Sequence, residues 1–289
     1  MIRYSTFTAR LLAPTLAWAF AVTAQQPPEP RLGDNAALRY WSAFAQMRDS
    51  SLTPEQAKHL QAILDGTAPY SDLQHRELVE RNRLAVETLQ RGAALSQCDW
   101  GLEYQLGSAA PIEHVPKALA LGRWNILYSF HQLITGDRRG GISTLSAGIR
   151  FSHDVAAGGP LIAALAAKTL LLSHLRAVDF AAQMKPLSPG EKALLSVTLG
   201  KIGPQVVDWQ SAIRREFEVL ARSGSPAPTA VEELYRRALQ DDGQLPQLQK
   251  AIAGAPQSVA NRIASPQRVL DQKRELDEKL HKSRLMLRE

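Results

Sequence analysis

The chain is 289 residues long, 45% apolar, with a formal charge of +6. That length is ample for a sizeable core, so packing alone can hold the fold, and the single cysteine excludes an internal disulfide. Basic and acidic residues, 34 against 28, are interspersed rather than gathered into a stripe, which is the pattern of a solvated surface and argues against a nucleic-acid partner.

The first residues read as an address. Arg3 and Arg10 give a basic start, Leu11 to Val22 is an apolar run, and Val22-Thr23-Ala24 supplies the small residues of a cleavage site. Pro14 interrupts the run, which falls well short of the ~20 apolar residues that span a bilayer. Residues 1–24 are therefore expected to be a cleaved signal peptide, leaving a mature chain that starts at Gln25 in the periplasm or outside the cell, with no transmembrane segment. No lipobox cysteine follows. Residues 25–33, with Pro27-Pro28-Glu29-Pro30, form a Pro-rich spacer.

Ala and Leu dominate the apolar residues, and β-branched or aromatic runs of period two are nearly absent. The expected fold is all-α: a bundle or short array of helical hairpins over 34–222, a linker at 223–228 and a C-terminal helical extension at 229–289. Asp34 or Asn35 caps a first helix whose Ala37, Tyr40, Trp41, Phe44 and Met47 recur at helical spacing and are expected in the core. Thr53-Pro54-Glu55-Gln56 is a capping box that starts a second helix ending at Gly66. A third is expected to run from Ser71 or Asp72 to Ala93, with Leu78, Ala85 and Leu89 inward.

A loop from Cys98 to about His114 leads into a helix from Val115 or Pro116 to Thr135, with Gly122, Ile126, Ser129 and Leu133 on one side. Gly136-Asp137 turns the chain into a partner helix carrying Ile142, Leu145, Gly148, Ile149, Ser152 and Val155. With Gly136-Asp137 at the turn, Gly141 before Ile142, and Gly148 before Ile149, this hairpin resembles a tetratricopeptide repeat, whose period is about 34 residues. The resemblance implies a helical-hairpin array (TPR-like, α-solenoid-like). Asn35-Ala36-Ala37 and the Cys98-Asp99-Trp100 loop ahead of such a hairpin also make the chain similar to exported bacterial all-helical proteins, a likeness that implies no activity.

Leu161 to Met184 is apolar nearly all round and belongs at the centre of a bundle, while Lys168, His174 and Arg176 argue against a membrane span. Ser188-Pro189-Gly190-Glu191 is a second capping box. A helix is expected from about Pro204 to Arg222 with Val207, Ile213, Phe217 and Leu220 inward. Ser223 to Pro228 reads as a linker. Thr229 caps a helix toward Gln240, short pieces follow, and a last helix starts at Ser265-Pro266 with a thin stripe of Val269, Leu276, Leu280 and Leu287.

Familiar catalytic motifs are absent: there is no Gly-x-Ser-x-Gly elbow, zinc-binding His-Glu-x-x-His, phosphate loop or paired-cysteine site. The constellation to consider is Cys98, Asp99, Trp100, Glu103 and Tyr104. An aromatic ring beside two carboxylates suits a sugar or a cation, so Asp99, Trp100, Glu103 and Tyr104 are the candidate ligand-binding residues. The competing reading tucks Cys98 and Trp100 into the bundle and has Asp99 cap a turn. A cysteine nucleophile would need His114, His131 or His153 brought to it by the fold. His131, His153 and His174 lie on successive helices, but three of seven histidines align readily by chance, and neither a metal nor a cofactor is expected. The expected function is that of an exported, non-catalytic scaffold or binding module of the cell envelope, its groove beside the Gly136 hairpin and the Cys98 loop, its partner another envelope protein or a small ligand. The alternative is a cell-wall or small-molecule enzyme using Asp99 and Glu103.

Overall fold

A computed structural model describes residues 32–48, 52–203, 206–224 and 229–289. The segments expected to be a signal peptide (1–24) and a Pro-rich spacer, up to residue 31, and most of the expected 223–228 linker lie outside the described residues.

The helices form where local signals place them. Asn35 caps α1 (Ala36–Gln46) by accepting from the Ala37 N–H at 3.0 Å. Thr53 and Gln56 close a reciprocal capping box at the start of α2 (Pro54–Leu64). The expected third helix is instead two, α3 (Asp72–Arg81) and α4 (Arg83–Ala93). They divide at Asn82, whose Oδ1 accepts the Arg48 N–H at 2.8 Å while its Nδ2 donates to the Leu78 carbonyl at 3.1 Å. A side chain bonded this way offers the backbone an alternative to the helix ladder, and the break follows.

After a short 3₁₀ segment (Tyr104–Ala109) come α5 (His114–Ile134), α6 (Arg138–Val155) and α7 (Leu161–Met184). The turn between α5 and α6 uses Gly136 at φ 97°, which a side chain would strain, and Asp137 caps α6 by accepting from the Gly140 N–H at 2.9 Å. A Cβ on Gly141 would come within 2.7 Å of Leu133 Cγ, and one on Gly148 would overlap Asn125 and His174, so the two glycines set how closely α5, α6 and α7 approach. The core between these helices holds Leu121, Trp124, Leu127, Ile142, Leu145, Ile149, Leu171 and Leu175. At its centre lies His174, fully buried and held neutral by burial, which lowers its pKa to about 4. Its Nδ1–H donates to the Leu170 carbonyl at 2.8 Å, so Nε2 is left needing a donor. Asn125 presents its Oδ1 there, 3.0 Å from Nε2, and the amide turned over would bring its NH₂ group to the ring instead.

Leu161–Met184 is long and apolar enough to cross a membrane by composition, yet 72% of its most apolar window is buried inside the protein. Helix α8 (Pro189–Lys201) opens on the Ser188–Glu191 capping box and lies against α6. Helix α9 starts at Trp209 and ends at Arg222, not at Pro204 as the sequence suggests, because Asp208 takes the cap position and accepts the Ser211 N–H at 2.9 Å. Then follow α10 (Thr229–Ala238), α11 (Leu245–Ala253), α12 (Gln257–Ala260) and α13 (Pro266–Arg288). Helix α13 lies along α7 and α8, buries its Val269, Leu276, Leu280 and Leu287 stripe, and pairs Glu275 with the almost buried Lys168 of α7. The described residues belong to one compact unit. The fold is all-α: among the described residues there is no strand, only a lone parallel bridge between Asn35 and Gln97.

Candidate functional site

The Cys98 loop is fastened at both ends. Asn35 Nδ2 donates to the Asp99 carbonyl at 2.8 Å and Asn35 Oδ1 accepts the Asp99 N–H at 2.9 Å. One side chain thereby caps α1 and clamps the loop. The Asp99 carboxylate accepts from the Gly101 N–H at 2.9 Å, a local Asx turn.

Trp100 enters the core. Its indole stacks on His114 at 4.5 Å and Tyr40 at 5.7 Å, meets Phe44 and Trp41 at 6.1 Å each, and donates Nε1–H to the Asp154 carbonyl at 2.8 Å. Cys98 Sγ–H points to the same carbonyl at 3.6 Å. The Asp154 side chain is the hub beneath. It is 1% exposed, accepts the Tyr40 hydroxyl at 2.7 Å and lies 3.0 Å from Arg150 Nε. Burial pushes its carboxyl pKa up while Arg150 and the Tyr40 hydrogen bond pull it down. Removing one partner of so buried a pair typically costs about 3–5 kcal/mol.

This setting keeps Cys98 a thiol. Burial, then the Asp154 charge, pushes its pKa well above the usual thiol range, and no histidine hydrogen-bonds it among the described residues. His114 stacks on Trp100, with burial lowering its pKa to about 4. His131 faces Asp72 at 2.6 Å and Glu80 at 3.2 Å, and His153 donates Nδ1–H to the Val206 carbonyl at 2.7 Å. His131, His153 and His174 thus have separate partners, and among the described residues no three metal-ligating side chains of His, Cys, Asp or Glu converge.

The four residues singled out in the sequence therefore separate. Trp100 is core, Asp99 serves the turn, and Glu103 is exposed. Tyr104 hydrogen-bonds the Gly158 carbonyl and carries the Arg215 guanidinium over its ring at 4.8 Å. Burial pushes the Tyr104 hydroxyl up to about 12, so it stays a donor.

The open space lies next door. A cleft of about 510 Å³ runs between α4, α6 and α8 and ends at Leu95 and Ser96, where the chain leaves α4 for the Cys98 loop. Its lining includes Ser143, Ser146 and Ala147 of α6, Ala93 and the cap residue Ala94 at the end of α4, and Leu194, Val197 and Lys201 of α8. Leu194 and Val197 are 41% and 55% exposed. Two contacts fix the relative direction of the helices: Arg138 with Glu191 at 2.8 Å, and Ser146 Oγ with Thr198 Oγ1 at 2.7 Å. They advance in step, so α6 and α8 run parallel and Arg150 and Lys201 stand at the same end of the cleft.

Arg150 Nη2 donates to the Ser96 carbonyl at 3.1 Å and its Nε serves Asp154, so this residue ties the cleft to the buried hub. Lys201 is exposed and has no ion-pair partner among the described residues. The arrangement offers an apolar trough with one cationic end. One signal in the sequence points to it: Leu194 and Val197 sit beside the inward Leu195 and Leu199, which makes α8 apolar on two faces, more than one core contact requires. Compared with protein-family models, curated proteins and solved structures, the chain matches none.

Proposed function

We propose that the protein is an exported, non-catalytic helical binding module of the cell envelope, and that the cleft between α4, α6 and α8 holds its ligand. The observation that carries this reading is the pair Leu194 and Val197, left uncovered along a trough whose floor is made of small residues. Apolar side chains stabilise a complex by roughly 25 cal/mol for each Å² they lose to solvent, and small floor residues let a partner approach closely.

The occupant we favour is a segment of another envelope protein with apolar side chains against α8 and a carboxylate at the Arg150–Lys201 end. Charge complementarity there would fix its direction in the trough more than its affinity. Export rests on the Arg3–Ala24 segment, and the α5–α6 hairpin with Gly136, Gly141 and Gly148 supports a tetratricopeptide-like kinship, an architecture whose stacked hairpins make extended concave surfaces. The enzyme alternative finds less support, because Asp99 serves a turn and Glu103 is exposed, and neither lines the cleft.

The test has two parts. The intact mass of protein recovered from the cell envelope fraction should correspond to a chain starting at Gln25. Selection from a displayed library of random peptides should enrich sequences combining apolar residues with an acidic residue or a free C-terminal carboxylate. Failure to enrich any peptide that binds saturably would count against the reading.

A further inference from the structure

A second cavity of about 350 Å³ lies where the end of α6 and the Ala156–Gly159 turn face the first turns of α9. Its polar lining is His153, Asp208, Ser211, Arg214 and Arg215. The fold commits several of these groups and leaves others unspent. His153 donates Nδ1–H to the Val206 carbonyl at 2.7 Å, which fixes the ring and leaves Nε2 as its uncommitted polar atom. Both oxygens of Asp208 are engaged at the start of α9, Oδ1 by the Ser211 N–H at 2.9 Å and Oδ2 by the Ser211 hydroxyl at 2.6 Å. Its charge is thus set against the positive end of that helix.

Arg215 reaches Glu218 Oε2 at 2.6 Å with Nη1 and places its guanidinium carbon 4.8 Å from the ring centre of Tyr104, which in turn holds the Gly158 carbonyl. Gly158, at φ 62°, lets the turn fold back beside that ring. One wall of the cavity is therefore a braced unit of turn, aromatic ring and guanidinium. Arg214 is exposed and has no ion-pair partner among the described residues, while the Asp208 carboxylate in the same lining is turned to Ser211 at the start of α9, so the Arg214 guanidinium is the cation left free for a ligand.

We propose that this cavity binds a small molecule carrying an oxyanion, a phosphate or carboxylate, paired with Arg214 and with the free N–H groups of Arg215. The planar guanidinium fork matches either anion. The volume exceeds the needs of a bare ion, and His153, which lines the same cavity, has its Nε2 to offer a hydroxyl of a sugar-sized body. The site is separate from the α4–α6–α8 cleft, and neither depends on the other.

The experiment is a thermal-shift and calorimetric titration of the purified protein with inorganic phosphate, glucose 6-phosphate, glucuronate and, as a neutral control, glucose. We expect a saturable rise in melting midpoint with at least one of the three anions and none with glucose. Arg214→Gln should weaken that binding at least tenfold, Arg214→Lys less, and Val197→Asp in the cleft should leave it unchanged. A response to the two phosphates but not to glucuronate assigns a phosphate ligand, and the reverse assigns a carboxylate. The proposal is overturned if no anion binds saturably, if glucose reproduces the shift, or if Arg214→Gln binds as the wild type does. Arg214 makes no ion pair among the described residues, so its replacement should not unfold the chain and obscure the result.

Discussion

The Cys98–Tyr104 loop and the α4–α6–α8 cleft meet near Ser96 and Arg150, and they use their side chains in opposite ways. In the loop, the chemically distinctive groups are engaged internally. The Trp100 indole and the Cys98 thiol share the Asp154 carbonyl, four rings surround the indole, and Asn35 holds the Asp99 backbone. Away from its cationic end at Arg150 and Lys201, the cleft is lined mostly by alanines, serines and two aliphatic side chains that the fold leaves uncovered. The difference teaches that rare residue types concentrate where a loop must be anchored in a core, because every polar group carried inward needs a partner there. A surface that receives a partner needs small floors and unpaired edges, which ordinary residues provide.

The comparison breaks most visibly at Trp100. Trp100→Ala should lower unfolding stability by about 3–5 kcal/mol in chemical denaturation, the usual cost of removing a buried aromatic ring. Retained stability would mean that the loop is free to serve a ligand. Gly148→Ala comes next. The added Cβ overlaps Asn125 and His174, and overpacking of this kind typically costs about 1–3 kcal/mol. A matching change at Ser143, on the exposed cleft face of the same helix, should fall within about 0.5 kcal/mol of wild type.

Acid titrates the interior before it touches the cleft. Burial lowers the pKa of His114 and His174 to about 4. The unfolded chain therefore binds more protons between that value and the usual histidine pKa of about 6.5, so the stability they contribute is present above that range and is lost as pH falls through it. One pKa unit corresponds to about 1.4 kcal/mol, so each histidine carries on the order of 3 kcal/mol across the window. Asp154 and Glu216, with burial raising their pKa values, work the other way and gain as pH falls. The clean readout is thus a difference between proteins. His114 ring nitrogens make no hydrogen bond of good geometry, with the Val155 backbone only weakly opposing the effect of burial. His114→Phe keeps the stacking partner for Trp100 and removes the titration. Between pH 6.5 and 4.5 it should lose less stability than the wild type, as followed by urea midpoints, and an equal loss would contradict a neutral, buried His114.

Much of the architecture was legible because local rules govern it. The Thr53 and Ser188 capping boxes form as their spacing suggests, the Tyr40–Phe44 stripe is core, and the apolar Leu161–Met184 segment lies mostly buried between α5, α6 and α9. What escaped the sequence depends on partners far along the chain. Asn82 splits a helix because it reaches the backbone of Arg48, and Asp208 starts α9 five residues beyond Gly203. Arg150 and Asp154 have the i, i+4 spacing of any surface pair, and nothing local reveals that the carboxylate is 1% exposed or that Tyr40 meets it from 114 residues away. The cleft lining was illegible for a simpler reason: alanine, serine, leucine and valine have no signature until the packing around them is known.

The smallest expected effect on stability goes with the largest on binding. Val197→Asp replaces a side chain that is 55% exposed and should leave the melting midpoint nearly unchanged. The decisive measurement is the affinity of a library-selected peptide, by fluorescence anisotropy, for the wild type, Val197→Asp and Asp99→Ala, with the melting midpoint of each protein recorded alongside. A binding cleft and a structural loop predict at least tenfold weaker binding, about 1.4 kcal/mol, for Val197→Asp at unchanged stability, and near-normal binding for an Asp99→Ala protein that melts earlier. Wild-type affinity in Val197→Asp, together with lost affinity in an Asp99→Ala protein of undiminished stability, would contradict the account and return the ligand to the Cys98 loop.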